Sequence, residues 1–389
     1  VPASARRRRA LGLVAAAVLA PTLAACQPLA PEAEQAPEAV FTQQEVRSSR
    51  VAPPPEPVAV PPVAPPVEAP APVVAPPVKA APVDPAPVEA PPVAEPADAG
   101  PVGQPGTGEL AGDTLYGPND GAAQAAAQLS GSRPADAALL ADMAEVPTAL
   151  WLGAWVPDVT ATVRQRVADA QAAGAVPVFV AYNVPGLDCG GYSASGGAGT
   201  LAGYRSWIGA VAAGIGDAEA VVVVEPDTLA LLCGNPEDRF AQLRAAVAAL
   251  EANPATHTYL DAGHADWIDA PTMAQRLRAA GVEDADGFAL NVSNFEPTED
   301  NVAFGSELSA LLDGAHFVVD TSRNGNGPGD HWCNPAGRAL GEPTTTATGN
   351  PLVDAFIWVK RVGESDGPCN GGPSAGQFWL DYALGLARG

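Results

Sequence analysis

The sequence predicts an α/β fold of parallel strands joined by helical crossovers, and three observations support this. Short apolar runs alternate with alanine-rich stretches of helical periodicity. The strand–helix unit recurs about seven times, the pattern of βαβ connections in a barrel or a doubly wound sheet. Nearly every apolar run ends in polar or acidic residues instead of a plain turn.

Taken in order, strands are expected at residues 149–156, 176–182, 221–225, 256–261, 287–291, 316–320 and 355–359. Stretches such as 161–173 and 239–251 read as amphipathic helices between them. The folded domain is expected to occupy residues 113–389.

What precedes it has another character. Of 42 prolines, 23 lie in residues 27–112 and only 17 from residue 113 onward. Proline fixes φ and removes an amide donor, so this Pro/Ala/Val-rich segment is expected to be a disordered linker with polyproline II character. Fully extended at ~3.1 Å per residue, it would reach roughly 250 Å, a spacer through a cell wall. No aromatic-rich carbohydrate-binding module is visible within it.

Residues 1–26 combine the basic run Arg6 to Arg9, an apolar stretch from Ala10 to Ala20, and Leu23-Ala24-Ala25-Cys26. The apolar stretch is short for a permanent span. It suits a signal peptide, and the last four residues resemble a bacterial lipobox, with Cys26 the acylated residue. A diacylglyceryl group supplies the two chains that stable anchoring requires. The expected location is therefore the extracellular face of a bacterial membrane, lipid-anchored, or a secreted state.

A net charge of −24 argues against a nucleic-acid partner, since a polyphosphate would be repelled. The acidic strand ends narrow the chemistry further. Tyr182 precedes Asp188, Val224 precedes Glu225 and Asp227, and Leu260 precedes Asp261 and His264. Leu290 precedes Asn291 and Asn294, Val319 precedes Asp320, and Val359 precedes Lys360, Glu364 and Asp366. In a parallel barrel these positions converge on the carboxyl rim. One aspartate after a strand is ordinarily a helix cap, but six such ends are too many for capping alone.

Metal chemistry fits poorly, because His-x-His and short-spaced Asp patterns are missing and the chain has 4 histidines. Neither a metal nor another cofactor is expected. A nucleophilic serine is not supported, as no Gly-x-Ser-x-Gly elbow occurs. Acid/base hydrolysis of a glycosidic bond remains, needing one protonated carboxyl and one carboxylate across a sugar. Trp151, Trp267 and Trp332, at or near the rim, offer flat faces for pyranose rings.

The motifs are then specific. Tyr182-Asn-Val-Pro-Gly-Leu-Asp188-Cys189, Val224-Glu225-Pro226-Asp227 and Tyr259-Leu-Asp261-Ala-Gly-His264-Ala-Asp-Trp267 come first. Asn291-Val-Ser-Asn294, Asp320-Thr-Ser-Arg323-Asn-Gly-Asn-Gly327 and Trp332-Cys333-Asn-Pro-Ala-Gly-Arg338 follow, and Asp354-Ala-Phe-Ile-Trp-Val-Lys360-Arg-Val-Gly-Glu364-Ser-Asp366-Gly closes the series. In order and spacing, across essentially the whole domain, they resemble glycoside hydrolase family 6, the cellulases.

That resemblance implies a distorted seven-stranded parallel β/α (TIM-like) barrel that hydrolyses β-1,4-glucan with inversion. It makes Asp227 the general acid, its pKa raised by partial desolvation and by Asp188. It makes Asp366 the usual candidate for the base and Tyr182 the residue that crowds the reactive sugar. Trp151, Asp261, His264, Trp267, Asn294, Trp332, Lys360 and Glu364 would bind glucosyl units. The four domain cysteines allow three pairings, of which the resemblance favours Cys189–Cys233 and Cys333–Cys369.

One position departs from the family: Leu187 stands where arginine usually precedes the Asp-Cys pair. Loss of a cation there should favour protonated Asp188 and shift the pH optimum. Compact segments after Asp227 and around residues 332–369 suggest an open cleft and endo action by a monomer on soluble or cell-derived glucans. The competing class is a catalytically weakened, wall-associated glycan-binding lipoprotein, for which Leu187 is the argument.

Overall fold

In the computed structural model, which describes residues 108–191 and 196–389, parallel strands carry the fold. They are β1 (Leu115–Tyr116), β2 (Leu150–Leu152), β3 (Val176–Ala181), β4 (Ala220–Val224), β5 (Thr256–Asp261), β6 (Gly287–Leu290), β7 (His316–Asp320) and β8 (Val353–Ile357). The signal-peptide reading with its acylated Cys26, and the linker up to residue 107, lie outside the described residues. Leu110, which the linker reading includes, is buried in the main core.

From β2 through β8 each strand pairs in parallel with the next, giving seven strands in sequence order. The two-residue β1 adds only to the start of β3, pairing Leu115 with Val176, while β2 takes its end, pairing Leu152 with Ala181. The sheet curls back on itself without closing fully. Between β8 and β2 there is a single parallel bridge, Thr148 with Trp358. Trp358 O accepts from Ala149 N at 3.1 Å and from Thr148 Oγ1 at 2.9 Å. This is the distorted seven-stranded barrel that the sequence predicts.

The central strands form because their residues are apolar, often β-branched, and covered on both faces. In β4, Ala-Val-Val-Val-Val is buried throughout, as parallel strands between helices and barrel interior require. Side-chain caps start the helices: Asp158 accepts from Ala161 N, Thr200 from Gly203 N and Asp269 from Thr272 N. The helix Ala270–Ala280 ends on Gly281 in the left-handed region, where a Cβ would be strained.

Helices Asp120–Leu129, Pro134–Glu145 and Leu380–Arg388 bury a second apolar cluster around Trp358, beside the seam. Two strands differ from expectation by more than one residue. β2 stops at Leu152 because the chain turns, Val156 N donating to Gly153 O. β8 begins at Val353 because an irregularity beside Phe317 extends its ladder at that end; Trp358 then makes the bridge to Thr148.

Candidate active site

The carboxyl ends of β3 to β8 gather the residues that the sequence singles out, and the backbone there is strained. Asp188 (φ 51°), Glu225 (φ 53°), Asp227 (φ 68°), Asn291 (φ 64°) and Ser293 (φ 61°) all lie in the left-handed region. Asp and Asn tolerate it; a glutamate there is unusual and needs support. Glu225 has it. Its buried carboxyl, pushed up to about 8 by burial, accepts from Asn183 N at 3.0 and 2.9 Å and from Val184 N at 3.1 Å. The chain leaving β4 is thereby tied to the chain leaving β3, two residues before Asp227.

Asp227 is the site's proton holder. Burial, then the negative charges of Asp188 and Asp366, push its carboxyl up to about 7. Its own amide donates to Asp261 Oδ2 at 2.8 Å, which fixes the turn.

Asp366 is in the opposite state. Burial works against its charge, but Arg323 and Lys360 outweigh it and hold the carboxyl down at about 2. Arg323 Nη1 donates to both carboxylate oxygens, at 3.0 and 2.9 Å, and Lys360 Nζ stands 3.1 Å from Oδ1. Asn334 N donates to Oδ2 at 3.0 Å, and Asn334 Oδ1 accepts from Asp366 N at 2.8 Å. Of these two carboxyls, Asp227 keeps its proton near neutrality and Asp366 keeps its charge, while burial raises Glu225 as well, to about 8.

Other acidic strand ends lie beneath the surface of the site. Asp261 Oδ2 accepts from the Asp227 and Gly263 amides, and Asp261 Oδ1 is buried without a hydrogen bond. Burial, then the charge of Asp227, raises the Asp261 carboxyl well above its usual range. Asp261, expected among the sugar ligands, is only 2% exposed and braces the turn that carries Asp227. Asp320 accepts from four amides, those of Ser293, Ser322, Val359 and Lys360, and so joins the ends of β6, β7 and β8.

Among the aromatic candidates, Tyr182 meets Trp151 edge to face at 5.3 Å, and Trp151 Nε1 donates to Val359 O at 2.9 Å. His264 and Trp267 rings tilt together at 5.2 Å. Trp332 is 62% exposed, an unusual position for an indole. Asn294, half-buried, donates its side-chain amide to Val292 O at 3.0 Å. Glu364 accepts from Arg361 at 2.7 Å. Cys189–Cys233 and Cys333–Cys369 are the disulfides, pinning the segments of Asp188 and Asp366.

Leu187 is buried in the core, 1% exposed. Arg239 Nε donates to Cys233 O and its Nη2 to Gly186 O, both at 3.0 Å, so one guanidinium braces the segment before Asp188. Arg323 and Arg239, with Glu225 and Asp320, are the functional residues that sequence reasoning left without a role. Arg323, Glu225 and Asp320 stand inside the quoted motifs, whereas Arg239 sits in a helix and gives no local signal.

Among the described residues, the one group of side chains close enough together to hold a metal ion, Glu109, His257 and Asp286, lies by the amino ends of β5 and β6, at the opposite end of the barrel. None of the described helices is long and apolar enough to cross a membrane.

Residues 111–389 match the family model described as Glycosyl hydrolases family 6. The chain is 46% identical over 257 residues to Endoglucanase A of Cellulomonas fimi, covering 65% of this chain but 56% of that protein. It is 41% identical over 280 residues to Endoglucanase 1 of Streptomyces halstedii, covering 68% of this chain and 86% of that one. A solved structure of the endoglucanase Cel6 from Mycobacterium tuberculosis, in complex with methyl-cellobiosyl-4-deoxy-4-thio-β-D-cellobioside, superimposes with a TM-score of 0.67. That likeness has 45% identity and covers 72% of this chain and 98% of the other.

Proposed function

The chain belongs to glycosyl hydrolases family 6, and we propose that it cleaves internal β-1,4-glucosidic bonds of cellulose or related β-glucans with inversion. One observation carries the chemistry: Asp227 holds a proton up to about pH 7 while Asp366 stays charged down to about pH 2. An inverting glycosidase needs that division of labour. Endo action is supported by the endoglucanase names of the relatives at 41–46% identity.

In this reading Asp227 gives its proton to the glycosidic oxygen as the bond to the anomeric carbon breaks. A water attacks that carbon from the opposite face and loses a proton toward Asp366. A carboxylate held this low is a weak base, so it accepts a proton only once bond formation has made the water acidic. Asp188 keeps the proton on Asp227 by its charge. Tyr182 crowds the reacting ring, and Trp267, Trp332, His264, Asn294, Lys360 and Glu364 contact neighbouring glucosyl units. Asp261 acts from beneath, through Asp227.

Two disulfides favour an exported protein. Within that reading, acylated Cys26 tethers the domain to the outer face of the membrane through the proline-rich segment. The test of function uses the full chain on carboxymethylcellulose and mixed-linkage β-glucan. Viscosity should fall faster than reducing ends appear, NMR should show α-anomeric products first, and Asp227→Ala should abolish both. Initial β-anomers, or full activity in that variant, would overturn the mechanism.

A further inference from the structure

Behind the loop that carries Trp332 lies an open depression of 780 Å³ between residues 328–338 and the helix Leu380–Arg388. Its volume lies in the range of small-ligand sites. Two of its walls bear on the catalytic carboxylate. Asn334 lines it, and the same residue exchanges two hydrogen bonds with Asp366. Tyr382 lines it too, with its hydroxyl shielded from solvent on the side of Arg323, the guanidinium that holds Asp366.

The lining chemistry is selective. The Arg338 guanidinium is committed to the carbonyls of Asn326, Gly327 and Pro328, at 3.0, 2.6 and 2.6 Å. Asn370 gives its side-chain amide to Cys333 O and keeps its carbonyl oxygen. Together with Asp330 and Asp381, this leaves mostly acceptors, beside the half-buried indole of Trp379, which stacks on Tyr382 at 5.4 Å. With Arg338 and His331 set against Asp330 and Asp381, the lining has no strong excess of either sign, and an uncharged ligand rich in hydroxyl donors with an apolar face fits such a surface.

We propose that this depression is a second saccharide-binding site, outside the cleft, that takes a short β-glucan segment against Trp379. The choice of β-glucan among neutral saccharides rests on the reading of the cleft given above. The site's walls place an occupant one residue away from Asp366, through Asn334, and from Arg323, through Tyr382.

Gly385 supplies the test. It lines the depression, is exposed, and a Cβ added there meets nothing within 4 Å. Gly385→Trp therefore starts from an unobstructed Cβ and carries an indole into the space, and replacing a helical glycine does not cost helix stability. The probe is a thio-linked cellotetraoside, which is not hydrolysed, titrated into the full chain by calorimetry. Two binding equivalents are expected for the wild type. One should remain in Gly385→Trp with hydrolysis intact, and one in Trp267→Ala/Trp332→Ala.

If the wild type shows one equivalent, unaffected by Gly385→Trp and lost in the double variant, the second site falls and the cleft stands. If its single equivalent disappears with Gly385→Trp and survives the double variant, the depression stands and the cleft reading falls.

Discussion

Asp227→Asn should stabilise the fold, and increasingly so as the pH rises toward 7. In the wild type the carboxyl is pushed up to about 7 in the folded chain, against about 3.9 for an aspartate in the unfolded chain. Between those values the unfolded chain has released the proton and the folded chain has not, so ν_U − ν_N is −1. Stability then falls by about 1.4 kcal/mol per pH unit. Over the whole interval the ceiling is about 4 kcal/mol, and water in the cleft screens part of it, leaving roughly 2 to 4 kcal/mol.

Asparagine carries no titrating proton and tolerates the left-handed φ of 68° as well as aspartate does. It also preserves the backbone amide that bonds Asp261. The variant and wild type should therefore unfold alike in urea near pH 4 and diverge through pH 7, the variant being the more stable. Its hydrolysis of β-glucan should drop by about 10² to 10⁴-fold, the usual contribution of a general acid. Equal stability differences at pH 4 and pH 8, or a difference that shrinks with pH, would refute the assignment of a raised pKa to this carboxyl.

Three further outcomes follow from the same charges and cross-links. Asp188→Asn removes a charge that raises the Asp227 carboxyl, so the alkaline limb of the kcat/KM profile, near pH 7 in the wild type, should move to lower pH. A limb that stays in place would remove Asp188 from the acid's environment. Arg323→Met leaves Asp366 buried with Lys360 as its remaining cation, which should cost about 3 to 5 kcal/mol in denaturant unfolding. The pH at which Asp366 gains its proton should rise, bringing the acid limb up from about 2. Converting Cys333 and Cys369 together to serine opens a loop with a sequence separation of 36, and about 3 to 4 kcal/mol of stability should go with it. Thermal unfolding indistinguishable from the wild type would exclude that contribution.

Much of the fold was legible because buried parallel strands are continuous apolar runs, and β3 to β7 fall within one or two residues of expectation. The misjudged ends were set by tertiary partners: β2 by a turn at Gly153, β8 by pairing irregularly with Phe317. In the site, the motifs located the right loops but not the direction of each side chain. Asp261 and Asp227 look equivalent as acidic residues after a strand, yet one faces the Asp227 amide from below. Leu187 is similar. The sequence registers an absent cation beside Asp188, while packing buries the leucine 1% exposed in the core and Arg239 braces the segment instead. An arginine at 187 would have to find a different direction from this leucine or bury a charge.

The division between the protonated and the charged carboxyl follows from where the cations are, more than from where the carboxyls are. Asp227 and Asp366 are both shielded from water, and burial alone would raise both. Arg323 and Lys360 both contact Asp366, and the same guanidinium is held over the Phe295 ring at 4.3 Å. Among the described residues, Asp227 feels the carboxyls of Asp188 and Asp366 through space and meets that of Asp261 through its amide. Like charges on one side and cations on the other separate two chemically identical groups from about 7 to about 2. Arg323 is therefore as much a determinant of the acid as of the base. By neutralising Asp366 it limits the repulsion that Asp227 feels, and its removal should move both carboxyls at once.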